Sequence, residues 1–405
     1  MNRSKNVAFT TFSKGYLSYG RTLRDSFKEH NPNTDFFFAI VDELNGEINI
    51  EDENCEVIGI KDIGVENFDS YAFKYDVLEL NTAVKYFFTR YLKEQRGYEK
   101  VMYIDADVRV YNNMDFIYDL LDKHSFLLTP HITKPYPDDL KPNQQDITKG
   151  GTHNLGWYAI GNSKESEEFL DWMEGIVKKI SYTEPRMGLF TDQKQQDLAF
   201  SLFDNGLLLK DLGCNMAYWN LHERKLTKKD GKFYVNDKTP LTFFHFSGLD
   251  LYSDSEIAAY QNRYDLSNRP DLVEIFAQYR KEMLEKGYEK YIKLPYSFNY
   301  YSNGEKITSM ARKLYAANLD KFENVNPFDA DGAFYKWAKE KHLLDNSPEV
   351  KGQSTMTLDK GDKRLKAIHF ALRALIRVFG ANKYSALMKY LSYISVERNQ
   401  KDIFK

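Results

Sequence analysis

The stretch Val101-Met102-Tyr103-Ile104-Asp105-Ala106-Asp107-Val108 decides the reading of this chain. The run Lys100 to Ile104 predicts a buried strand, and it leads straight into two carboxylates separated by one small residue. In extended geometry residues i and i+2 point to the same side. Two carboxylates facing together repel unless positive charge lies between them. A hard divalent ion such as Mn²⁺ or Mg²⁺ supplies that charge and bridges carboxylates to phosphate oxygens. Asp-x-Asp also occurs as solvated turn residues, so a second element matters. It is Phe243-Phe244-His245-Phe246-Ser247-Gly248, where a lone His follows an apolar strand. Such a His is often a structural residue, but with Asp105 and Asp107 it completes a mixed nitrogen and oxygen donor set. Gly248 allows the backbone to approach a phosphate closely.

Working outward, Asn6 to Phe12 reads as a strand and Tyr16 to His30 as a helix stopped by Asn31-Pro32-Asn33. Further strands are expected at Phe36 to Val41 and Glu56 to Ile60, and a helix at Leu78 to Glu94. This alternation predicts an α/β fold with a mostly parallel sheet, wound like a nucleotide-binding domain. Ligands of such sheets sit beyond the carboxyl ends of the strands, which places Thr10, Thr11 and the Asp105 turn on one rim. Pro130 to Gly151 reads as a long loop of the kind that often forms a lid. Helices are expected at Glu165 to Ile180, Gln193 to Asp204, Arg269 to Gly287 and Lys306 to Leu319, and a strand at Leu241 to Phe246. The expected division is a catalytic domain over residues 1–265, a helical extension over 266–350 and basic amphipathic helices over 351–405.

Composition sets outer limits. With 405 residues and 42% hydrophobic content the chain can bury a large core. The aromatic share of 15% permits sugar stacking but equally fills cores. A net charge of -3 gives no reason to expect nucleic acid as a partner. Two distant cysteines, Cys55 and Cys214, fit a reducing compartment. No run approaches the ~20 apolar residues of a membrane span, and Met1 to Phe12 lacks a signal-peptide pattern. A cytoplasmic protein is expected, peripheral on the inner face of the membrane. The tail suggests that surface: Lys363 to Val396 holds seven Lys or Arg and no Asp or Glu, with Leu365, Ile368, Leu372, Leu375, Ile376 and Phe379 at helical spacing. Residues 363–396 are expected to meet anionic lipid. The competing reading is an amphipathic helix docked on the protein itself.

The order of Tyr103-Ile104-Asp105-Ala106-Asp107, Asn154-Leu155-Gly156, Asp192-Gln193 and His245-Phe246-Ser247-Gly248 resembles the family 8 retaining glycosyltransferases. The chain looks closer still to a bacterial group of related transferases with stretches like Phe190-Thr191-Asp192-Gln193 and Asn215-Met216-Ala217-Tyr218-Trp219-Asn220-Leu221-His222. The resemblance covers about Asn6 to Asp250. It implies a GT-A fold, a UDP-sugar donor and Mn²⁺ held by Asp105, Asp107 and His245. It places Thr10 and Thr11 at the start of the uridine-binding loop, Lys85 at the family's basic position, and the donor-sugar contacts on Asn154, Asp192 and Gln193. The catalytic role expected of Asp192 and Gln193 follows from their chemistry: a carboxylate that binds sugar hydroxyls and an amide oxygen that stabilises an oxocarbenium-like centre. It also implies transfer of a hexose to a glycan or lipid-linked glycan with retention of configuration, in surface polysaccharide or glycoconjugate synthesis.

Each of these residues has a second reading. Lys85 is also an ordinary helix lysine, Asp192 a helix N-cap and Asn154 a turn residue. His131, His153 and His222 are acceptor-contact candidates, and Trp157, Tyr218 and Trp219 sugar-stacking candidates, against the alternative that they fill core or rim. Two positions depart from the family, the first being Lys85, where Arg is usual. Three residues after Gly248, where a phosphate-neutralising Lys is common, stands Leu251, and Arg263 is the replacement candidate. Two other functions compete. A sugar-phosphate nucleotidyltransferase would carry a richer Gly and basic loop than Thr10-Thr11-Phe12-Ser13-Lys14-Gly15. A non-catalytic sugar-nucleotide-binding module would not need Asp105, Asp107 and His245 together.

Overall fold

The computed structural model describes residues 5–344 and 363–404. Two compact units emerge, Met1–Phe68 with Val77–Phe298, and Asp69–Asp76 with Asn299–Lys405. The expected boundary at residues 350 and 351 lies outside the described residues.

The first unit is built on a seven-stranded sheet. In chain order its elements begin with β1 (Asn6–Phe12), α1 (Leu17–His30), β2 (Asp35–Ile40) and β3 (Glu56–Gly59). Then come α2 (Val77–Ala83), α3 (Lys85–Glu94), β4 (Lys100–Ile104), β5 (Val108–Val110), β6 (Phe126–Pro130) and α4 (Gln144–Gly150). They are followed by β7 (His153–Ile160), α5 (Lys164–Ile180), β8 (Gly206–Leu208), β9 (Leu226–Lys229), β10 (Lys232–Val235), β11 (Phe243–His245) and α6 (Val273–Glu285). The strand order is β8-β6-β7-β4-β1-β2-β3, and only β7 runs against its neighbours. The expected α/β architecture with a mostly parallel sheet is therefore the one observed.

Both faces of the sheet are covered, which is why its strands show continuous apolar runs instead of alternation. On one face Phe27 of α1 packs on Phe36 of β2 with ring centroids 5.0–6.0 Å apart along the Phe27, Phe36, Phe38 and Phe12 series. On the other, Phe9 of β1 lies 5.0 Å from Phe88 of α3 and 5.1 Å from Tyr103 of β4. In register, Phe9 of β1 stands beside Tyr103 of β4. Thr11 and Asp105, each two residues further on, therefore end on the same edge.

Several local expectations are corrected. The expected helix Leu78 to Glu94 is two helices, α2 and α3, separated at Val84. The long loop Pro130 to Gly151 contains α4, opened by a capping box in which Asn143 and Asp146 satisfy each other's backbone N–H groups. Gln193 to Asp204 is not one α-helix but a 3₁₀ segment, Lys194–Leu198, and a single α turn, Ala199–Leu202. Strand β7 gives no continuous apolar run, because His153, Asn154 and Gly156 interrupt its apolar residues even though every one of its residues is buried.

The second unit has its own aromatic core, including Phe73, Tyr301, Tyr315 and Phe334. Arg312 ties its two segments together by donating to the carbonyls of Phe73 and Tyr75 at 2.8 and 3.0 Å. This unit includes α7 (Ser309–Ala317), α8 (Ala333–Glu340) and α9 (Lys363–Ile394). Gly380, at φ 78°, breaks α9. Many apolar side chains of α9 face water, among them Phe370 at 68% exposure and Val378 at 74%. Among the described residues no helix is long and apolar enough to cross a membrane.

Candidate metal and sugar-nucleotide site

Backbone pairing explains why Asp105, Asp107 and His245 meet, although 138 positions separate Asp107 from His245 in the chain. After β4 the chain turns once and forms β5, which pairs antiparallel with β11 so that Val108 stands opposite His245. The Phe246 N–H donates to the Asp107 carbonyl at 2.9 Å, extending that pairing over the metal motif. The Asp105 N–H donates to the Gly156 carbonyl at 2.7 Å and fixes the first carboxylate against β7. The result is one cluster whose potential ligand atoms all lie within 4.8 Å of one another. His245 Nε2 is 2.9 Å from Asp107 Oδ1 and 3.9 Å from Asp105 Oδ2.

The donor set fits a divalent ion. His245 Nδ1 lies 3.3 Å from Asn215 Oδ1, a partner that holds the imidazole with Nε2 facing the two carboxylates. Burial works to lower the His245 pKa, but Asp107 and Asp105 outweigh it and raise the value above the usual imidazole range. Desolvation opposes ionisation of Asp107, and the adjoining imidazole more than reverses it, holding that carboxyl below its ordinary value. A site that concentrates charge in this way favours a cation between its members.

Beneath the cluster three tyrosines are stacked. Tyr158 lies 5.3 Å from both Tyr86 and Tyr103, nearly parallel to each. Their hydroxyls reach upward: Tyr103 donates to Asp105 Oδ1 at 2.5 Å and Tyr86 to Asp192 Oδ2 at 2.9 Å. Lys85 is buried above this stack, with Nζ 4.4 Å from the Tyr103 ring centroid and 3.6 Å from both Asp105 and Asp192. It donates to the Leu155 carbonyl at 2.9 Å. Burial raises the Asp192 pKa; Lys85 and the Tyr86 hydroxyl offset part of that effect, and Asp105 adds to it.

A shift in the β6–β7 register between Leu128 and Thr129 bends β7 at Leu155, Gly156 and Trp157 and directs Asn154 into the same network. Asn154 Oδ1 accepts from Asn215 Nδ2 at 2.9 Å. Gln193 Oε1 accepts from the Leu155 N–H at 3.1 Å, while Gln193 Nε2 donates to the Gly150 carbonyl at 2.8 Å. A polar chain thus runs from Asp107 through His245, Asn215 and Asn154 to Gln193.

The cluster opens into a cleft of about 1080 Å³. Of the sequence candidates, Thr11, Lys85, Asp105, Asp107, Asn154, Asp192, Gln193, His245 and Gly248 all border it. Thr10 does not; it is fully buried in β1. His131, Tyr218 and Trp219 line the cleft, whereas His153, Trp157 and His222 do not. Asp192 is not the cap of a regular helix: the adjoining 3₁₀ segment begins after Gln193 and receives no side-chain cap. Leu251 is buried in the core, and Arg263 is held by Asp138 and by the carbonyls of Leu140 and Pro142. Asn215 and the tyrosine stack escaped the sequence reading as site residues. Asn215 had one signal, a polar side chain within the apolar stretch Cys214 to Ala217, and its φ of 56° is one that Asn tolerates.

The chain matches no protein-family profile. The uncharacterized proteins YfnF and YfnD of Bacillus subtilis (strain 168) are 29% and 27% identical to it over 162 and 164 residues, in each case 39% of this chain. Those stretches make up 52% and 49% of the two proteins, so the chain spans about half the length of the curated relatives it matches. Among solved structures, it is similar to the galactosyltransferase LgtC in complex with donor and acceptor sugar analogs, at 13% identity and a TM-score of 0.40, over 69% of this chain and 95% of that one. It is also similar to the glycosyltransferase GlyE of Streptococcus pneumoniae TIGR4, at 18% identity and a TM-score of 0.41, over 77% of this chain and 73% of that one.

Gly156 gives a direct test of the cluster's geometry. A Cβ there would lie 2.7 Å from Asp105 Oδ2 and 2.9 Å from Asn154 Oδ1, and would collide with the His245 ring. Gly156→Ala is therefore expected to weaken Mn²⁺ binding by about tenfold or more, measured by titration calorimetry. Unchanged Mn²⁺ affinity would contradict the assigned ligands.

Proposed function

We propose that this chain is a metal-assisted glycosyltransferase of the GT-A type that moves a hexose from a UDP-sugar to a glycan or lipid-linked glycan, with retention at the anomeric carbon. The observation that carries this reading is the convergence of Asp105, Asp107 and His245 at the carboxyl edge of a mostly parallel sheet, inside a cleft with room for a sugar nucleotide. Asp105, Asp107 and His245 would hold Mn²⁺ or Mg²⁺. When bound, the ion acts as a Lewis acid toward the charge that develops on the departing diphosphate.

The chain's own residues account for the rest. Thr11, at the end of β1, lines the cleft and would meet the nucleotide. Gly248 has φ 72°, a conformation that favours glycine, and a Cβ there would lie 2.7 Å from the Tyr260 ring, so the loop can follow this path only with glycine. Asp192 accepts hydrogen bonds from sugar hydroxyls, and Lys85 sets the charge and position of both Asp192 and Asp105 from below. Gln193 and Asn154 fix the floor on which the hexose rests. The biological setting we infer is synthesis of a surface polysaccharide or glycoconjugate.

Hydrolysis of a panel of UDP-sugars, followed by UDP release, tests this reading. One donor is expected to turn over with Mn²⁺, with activity lost in EDTA and reduced at least ~100-fold by Asp107→Ala. Turnover that persists without metal would overturn the role given to the cluster.

The location we propose is cytoplasmic and peripheral on the inner membrane face, through residues 363–396. What supports it is the pairing of exposed apolar groups, such as Phe370, Val378 and Tyr390, with the basic residues Lys366, Arg373, Arg377, Lys383 and Lys389 on α9. Deleting residues 363–405 is expected to abolish co-sedimentation with phosphatidylglycerol vesicles. Unchanged sedimentation of the truncated chain would rule this location out.

A further inference from the structure

The cleft has a charge problem that its known members do not solve. Asp105, Asp107, Asp146 and Asp192 all line it. A divalent ion and Lys85 fall short of balancing these four carboxylates even before a diphosphate enters. His131 adds no positive charge near neutral pH, since burial and the neighbouring imidazoles lower its pKa to about 4. Leu251 is apolar and buried, and the Arg263 guanidinium is spent on Asp138. Yet two further cations, Lys141 and Lys149, line the cleft, and among the described residues neither ammonium has an ion-pair or hydrogen-bond partner.

Both lysines sit on a segment anchored at its two ends. At one end the Lys141 N–H donates to Asn262 Oδ1 at 2.7 Å, and the Lys141 carbonyl accepts from the Asn262 N–H at 3.1 Å. Arg263 clamps the same place: it donates to Asp138, Leu140 and Pro142, and its guanidinium lies 4.6 Å from the Tyr136 ring centroid. At the other end Lys149 lies in the last turn of α4, whose Gly150 carbonyl accepts from Gln193 and whose Thr148 carbonyl accepts from Lys194, both at 2.8 Å. The segment therefore reaches from the loop after the His245 motif to the residues proposed to hold the hexose.

We propose that Lys141 and Lys149 are the phosphate-binding cations of this cleft and take up the terminal phosphate of the nucleoside diphosphate. This assignment rests on the sugar-nucleotide reading given above. Unpaired ammonium groups beside a diphosphate form charge-assisted hydrogen bonds, and their effect is largest at the charge that departs with the leaving group.

Calorimetric titration of the full chain with UDP and with UMP, both in Mn²⁺, tests it. The double variant Lys141→Ala/Lys149→Ala is expected to bind UDP about tenfold or more weakly while UMP affinity stays within about twofold. Lys141→Arg/Lys149→Arg is expected to restore UDP binding, which a loss of folding would not permit. UDP affinity within about twofold of the unsubstituted chain, or an equal loss for UDP and UMP, would overturn the assignment. Failure of the unsubstituted chain to bind UDP in Mn²⁺ would instead overturn the donor reading, and this assignment with it.

Discussion

Asp105, Asp107 and Asp192 are brought together at the floor of one cleft, and like charges at that spacing oppose folding unless they are compensated. Lys85 is the compensation built into the fold: it stands 3.6 Å from both Asp105 and Asp192 and is buried over the Tyr103 ring. Much else near the site follows from holding this arrangement. The tyrosine stack positions two of the carboxylates from below through the hydroxyls of Tyr86 and Tyr103. The break between α2 and α3 at Val84 starts the second helix at Lys85. The β5–β11 pairing adds His245 from the side and leaves a place between its Nε2 and the carboxylates for a cation.

Asn215 and Asn154 extend this rigidity outward. Asn215 holds the His245 ring in one orientation, as the proposed ion would require. Asn215 is in turn bonded to Asn154, which reaches Gln193. The Asp105, Asp107 and His245 cluster and the proposed sugar floor are thus joined by hydrogen bonds. The anchored segment bearing Lys141 and Lys149 closes the remaining side of the cleft through the same Gln193.

The parts of this arrangement legible in the sequence are those with local signals. β1, α1 and the β4 strand leading to Asp105 carry apolar runs bounded by turn residues, and these elements fall within a residue or two of expectation. His245 was legible because a motif carried it. β7 was not, because Asn154 and Gly156 interrupt its apolar run and look like turn residues. The tyrosines were illegible as site residues, since an aromatic that stacks under a carboxylate and one that fills a core look the same in sequence. The gap at Leu251 was visible, but its replacement was not. Lys141 and Lys149 lie more than a hundred positions before it, and only the tertiary path brings their segment to the loop at Asn262.

The central claim is that Asp105, Asp107 and His245 bind one divalent ion that a nucleoside diphosphate then shares. Electron paramagnetic resonance of Mn²⁺ titrated against the full chain, with and without UDP, reads this directly. The account predicts one bound ion per chain, tighter in the presence of UDP and lost in His245→Ala. Binding that is indifferent to both UDP and His245→Ala would contradict it.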